Sequence, residues 1–76
     1  MNYKELVVFV SDRIEDYEER VQLALNLIDH NRCSLQQADG ILYSQMYDAV
    51  SEFISDNDLS ISPDEIDLET VLFTEL

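Results

Sequence analysis

Apolar residues recur at Tyr3, Val7, Val10, Ile14, Tyr17, Val21, Ala24 and Ile28, in steps that alternate between four and three. Such steps keep one edge of an α-helix apolar, because about 3.6 residues complete each turn. Glu5, Asp12, Glu15, Asp16 and Glu19 fall away from that seam. The pattern predicts one long helix from Asn2 to His30 with an apolar seam and an acidic back. Leu6, Leu25 and Leu27 widen the seam, and Arg13 and Arg20 stand beside it, placed to meet carboxylates of a facing helix. Two features compete with this reading. Leu6–Val10 is an unbroken apolar run of the kind a strand also shows. Asp12 with Glu15 mimics a capping box, which would break the helix at Ser11-Asp12. A strand at Leu6–Val10 has no convincing partner, so the continuous helix is preferred.

Asp29-His30-Asn31-Arg32-Cys33 forms the predicted connection, since Asn accepts the left-handed conformation that ends many helices. Ser34 with Gln37 makes a capping box that starts a second helix, predicted over Leu35–Ser55. A connection this short implies an antiparallel hairpin. Leu35, Ala38, Leu42, Met46, Ala49 and Phe53 make one stripe on the second helix, and Tyr43, Tyr47, Val50 and Ile54 make another beside it. Together they cover about half the circumference, more than one helical neighbour hides. The second helix is therefore expected to touch the first helix and one further element, either the C-terminal segment or another subunit. After a polar loop from Asp56 to Ile61, Ser62-Pro63-Asp64-Glu65 combines a cap, an N1 proline and a closing Glu. Ile66, Leu68, Val71, Leu72, Phe73 and Leu76 then predict a short third helix, or two pieces if Asp67 caps a second start. The expected fold is all-α: a helical hairpin with a short C-terminal helix packed on it. It forms one domain over residues 1–76, resembling a three-helix bundle and open to completion by dimerisation.

Composition supports this and adds a charge. One Gly and one Pro among 76 residues leave few sharp turns, and 46% apolar residues are too many for a disordered chain. A chain of this length buries only about 60% of its unfolded surface, so self-association would help to complete its core. The net charge is −13, from 17 acids against 4 bases. Residues 1–32 hold every base and a net −3, whereas residues 33–76 hold 10 acids and no base. Direct nucleic-acid binding needs Lys and Arg to displace counterions, so it is not expected, and anionic membranes are disfavoured for the same reason. A basic protein surface suits this charge. Cys33 is the sole cysteine, which fits a reducing, cytoplasmic setting. No uncharged run of about 18 residues suggests a membrane span, and no secretory pattern opens the chain.

The residues carry little chemistry. Asp56–Asp67 places oxygen ligands at several positions of a calcium-binding loop, but Ile61 stands where the turn needs Gly and Asp67 where the bidentate Glu belongs. A solvated linker and helix cap is the expectation there. Ser34-Leu35 at a mid-chain helix start resembles the Asp-Ser-Leu motif of acyl carrier proteins, in which the serine carries the prosthetic group. Cys33 replaces the Asp, the second helix is too long, and the first fills the region where carriers have a long loop. Capping is therefore the expected role of Ser34. His30 and Cys33 lack the further ligands of a zinc site. Exposed carboxylate pairs such as Glu15-Glu19 and Asp48-Glu52 are expected to be solvated charge. No cofactor, metal site or catalytic constellation is expected.

The expected function is thus a small acidic non-enzymatic protein-interaction module, self-associating and accessory or regulatory. The alternative is a nucleic-acid mimic that inhibits a basic DNA-binding protein or enzyme, of the phage or mobile-element type. Candidate partner-binding residues are Glu5, Asp12, Asp16 and Glu19 on the first helix and Asp48, Glu52 and Asp56 on the second. Tyr43 and Tyr47 join them, because Tyr gives large contact area at low entropy cost.

Overall fold

The computed structural model describes residues 2–74, and every regular element among them is helical. Helices α1 (Tyr3–Arg13), α2 (Tyr17–Asn31), α3 (Leu35–Ala38), α4 (Gly40–Asp56) and α5 (Leu68–Phe73) follow one another, with a 3-10 turn at Pro63–Glu65 before α5. Leu76, the last apolar position of the predicted third helix, lies outside the described residues. The run Leu6–Val10 is helical and belongs to α1.

The predicted continuous first helix is two helices. Ile14 turns to extended geometry (φ −119°, ψ 116°) and Asp16 is left-handed (φ 57°, ψ 34°). The break lies just beyond Ser11-Asp12, where the capping pattern had offered one. Length supplies the reason. An unbroken Asn2–His30 rod would measure about 43 Å, more than the 37 Å longest extent of the described chain. The bend lets both halves of the seam reach one small core: α1 packs against α4 and α5, and α2 against α3. Ile14 and Tyr17 stay buried on either side of the joint.

The predicted second helix is also divided. Ser34 opens α3 with the expected capping box, its Oγ accepting from the Gln37 N–H at 3.2 Å while Gln37 Oε1 accepts from the Ser34 N–H at 3.0 Å. Asp39 then leaves helical geometry (φ −155°, ψ 89°) and caps α4, its Oδ1 accepting from the Leu42 N–H at 3.0 Å. The Asp39-Gly40 pair explains the interruption, because Asp favours a cap and Gly is a poor helix-interior residue. At the C-terminal end the two-piece version is the observed one. Ser62 N–H donates to Glu65 Oε2 at 2.7 Å in a second capping box. Asp67 Oδ1 accepts from the Glu69 N–H at 2.9 Å and starts α5.

These elements close on a core in which Val7, Val10, Ile14, Tyr17, Val21 and Ala24 of the seam meet Leu42, Met46, Val50 and Phe53 of α4 and Leu68, Val71 and Leu72 of α5. Most of the predicted seam is thereby consumed within the chain. Tyr3 and Ile28, at its two ends, are only partly buried.

Asp16 invites a test. It is exposed and left-handed, and its side chain makes no capping bond. A left-handed residue with a Cβ carries strain of about 1–2 kcal/mol that Gly escapes. Asp16→Gly is expected to hold or raise the urea midpoint, and Asp16→Ala to lower it.

Candidate interaction surface

The carboxylates proposed as partner-binding are all exposed, but the chain arranges them differently from the sequence pattern. Glu5 and Asp12 lie on α1, Asp16 in the joint and Glu19 on α2, so the break divides what was expected to be one rigid row. Asp48, Glu52 and Asp56 do share one helix, α4.

Glu52 is already engaged. Arg13 Nε donates to Glu52 Oε2 at 3.0 Å and its Nη2 to Oε1 at 3.1 Å, a two-pronged pair across 39 residues of sequence. The guanidinium carbon also sits 3.5 Å from the centre of the Phe9 ring, which meets Phe53 edge-on at 5.3 Å. The hydrogen bond from Arg13 holds the Glu52 carboxyl below its ordinary pKa, and the same bond raises that of Arg13. The stability this pair contributes is present at neutral pH and is lost as acid protonates Glu52. Both side chains are substantially exposed, so salt screens the pair. Arg20 likewise reaches Gln45 Oε1 and lies 4.0 Å from Asp39 Oδ2. The expectation that Arg13 and Arg20 meet carboxylates of a facing element therefore describes contacts inside one chain.

Tyr43 and Tyr47 are half-buried and line a cleft of about 230 Å³ with Leu35, Pro63 and Ile66. The Tyr47 hydroxyl donates to Asp64 Oδ1 at 3.2 Å, and this bond raises its pKa. Tyr47 thus holds the Pro63–Glu65 turn against α4, and both tyrosines line the cleft. A second groove, of about 370 Å³, runs between Val7, Tyr17, Val21, Leu25 and Leu72. Tyr17 is 7% exposed, and its hydroxyl has no hydrogen-bond partner among the described residues.

His30 is exposed at the end of α2, and Cys33 is half-buried with its Sγ 3.7 Å from the Leu27 carbonyl oxygen. Among the described residues no three His, Cys, Asp or Glu side chains converge as metal ligands, and no helix is long and apolar enough to cross a membrane. No known protein family, curated protein or solved structure gives a significant match to this chain.

The fold leaves several large apolar side chains outside, among them Leu27, expected to widen the seam, and Phe73, expected to pack with the third helix. Val8, Leu23, Leu27, Ile41 and Phe73 are all exposed. Leu23 and Ile41 belong to neither the seam nor the stripes, and that off-pattern placement is the signal that could have found them.

Proposed function

We propose that the protein is a small, acidic, non-enzymatic interaction module that self-associates and acts as an accessory or regulatory subunit. The supporting observation is that large apolar side chains remain in water after the core has closed, with Leu23 65% and Ile41 70% exposed. Scattered surface leucines are ordinary, but Leu23 and Leu27 stand one turn apart on the same helix and make a continuous strip. Within this proposal the split helices act as the limbs of a three-helix bundle (α1 with α2, α3 with α4, and α5), and a second copy covers what the bundle leaves open. The lone Cys33 suits a reducing cytoplasm. Sedimentation velocity at micromolar concentration in high salt is expected to give twice the monomer mass, and a strict monomer there would refute self-association.

A second reading has its own support. Glu5, Asp12, Asp16, Glu19, Asp48 and Asp56 are exposed, and the ion pairs among the described residues engage only Glu52 and Asp39. Such a surface suits a basic DNA-binding protein or enzyme, with carboxylates standing in for phosphates. This reading predicts capture of a DNA-binding protein at low ionic strength and its release by added DNA or salt. Recovery of no basic protein at low salt would remove it.

A further inference from the structure

The acids avoid one part of the chain. Of the 17, only Asp29 and Asp39 fall between Arg20 and Tyr47, where Arg20 and Arg32 balance them. A stretch of zero net charge thus sits inside a chain of −13. It supplies α2 beyond its first turn, all of α3 and the first turns of α4. Leu23, Leu27 and Ile41 are three of the large apolar side chains that remain exposed, and all three lie in it. Arg20 links them across two helices. It stands one turn before Leu23 on α2 and donates to Gln45, one turn after Ile41 on α4. The face therefore runs from α2 over the balanced Arg20 to the start of α4.

We propose that this neutral apolar face is where a second copy of the chain docks, in a two-fold contact centred on Leu23, Leu27 and Ile41. The inference rests on the self-association reading above and names its surface. Charge selects the occupant. A basic partner is drawn to the acid-rich remainder of the molecule, with Glu19, one turn before Leu23, and Asp48, one turn after Gln45, at the border of this face. A second chain of −13 is repelled by that remainder and can approach only through the part that carries no net charge. A two-fold contact presents the same patch from both sides, so a face that is apolar and internally balanced is complementary to itself. Salt screens the repulsion between the acid-rich parts while leaving apolar burial in place, so added salt tightens this dimer. Binding to a basic partner shows the opposite salt dependence.

The test is sedimentation velocity on the full chain at low and high salt. Leu23→Glu on α2 and Ile41→Glu on α4 are each expected to raise the dissociation constant by about 30-fold or more, the scale of a central interface residue. Val8→Glu and Phe73→Glu add the same charge at exposed apolar positions outside the face and are expected to leave it nearly unchanged. Thermal melts followed by circular dichroism establish that each variant folds, and Leu23→Gln, which adds no charge, serves if the Glu variant does not. A wild-type chain that remains monomeric in high salt would overturn both this inference and self-association. A wild-type dimer that survives Leu23→Glu and Ile41→Glu alike would overturn this face alone and leave self-association standing.

Discussion

Leu42→Ala is expected to lower the unfolding free energy by about 2–5 kcal/mol, the range for truncating a fully enclosed leucine. Leu42 is 0% exposed and belongs to the core cluster that α4 shares with the seam residues. The lost methyl groups leave a cavity that neighbours such as Met46, one turn along α4 and also 0% exposed, can fill only partly. Stabilities run at roughly 0.05–0.15 kcal/mol per residue, so a chain of 76 residues has little in reserve. The variant should therefore lose a large share of its stability and unfold at a clearly lower urea concentration. Urea titration followed by circular dichroism measures the effect, with Leu6→Ala as a second enclosed site. Leu23→Ala is the contrast: Leu23 is exposed, and a change within about 0.5 kcal/mol is expected at low protein concentration. Equal losses at Leu42 and Leu23 would mean that the core is not packed as described.

Tyr17 separates two contributions of one side chain. Its ring is 7% exposed and belongs to the hydrophobic core, so Tyr17→Ala is expected to cost about 3–5 kcal/mol. Its hydroxyl is buried without a partner among the described residues, and a stranded polar group costs about 1–3 kcal/mol. Tyr17→Phe keeps the ring and removes that cost, so it should leave stability unchanged or raise it. Burial also pushes the Tyr17 hydroxyl up to about 12 from 10.0. The folded chain thus keeps this proton at a pH where the unfolded chain has lost it. The stability linked to it is fully present below pH 10 and is lost as pH rises from 10 towards 12. Wild-type urea midpoints should fall over that window more steeply than those of Tyr17→Phe. A destabilised Tyr17→Phe would show that the hydroxyl makes a bond after all.

The capping signals were local, and the structure carries them. Ser34 with Gln37, Ser62 with Pro63 and Glu65, and Asp67 each start an element at the expected residue. A cap is made by side chains and backbone a few residues apart, so a short window of sequence contains all its parts. The helix interruptions were harder. Asp12 with Glu15 looked like a restart, yet the chain breaks at Ile14–Asp16, because the joint must bring Val10 and Val21 onto the same small core. Asp39-Gly40 carries a local signal, a capping residue before a poor helix former, which the expectation of one helix over Leu35–Ser55 does not use. Of the residues proposed for partner binding, the exposed carboxylates were legible from their place opposite the seam. The engagement of Glu52 by Arg13 was not, since the two lie 39 residues apart.

Helicity, several helix starts, most of the buried positions and the acidity of the chain are legible in the residues alone. These follow from periodicity, caps and composition, all of which act over a few residues or need no geometry. The packing of the helices sets the rest: the seam is bent and spent within one chain, Tyr17 buries a hydroxyl with no partner among the described residues, and Leu23, Leu27 and Ile41 stay in water. Those outcomes depend on which helix faces meet and how far each helix reaches. A small core admits only as much apolar surface as its neighbours can cover, and that limit is set by contacts between residues far apart in the chain.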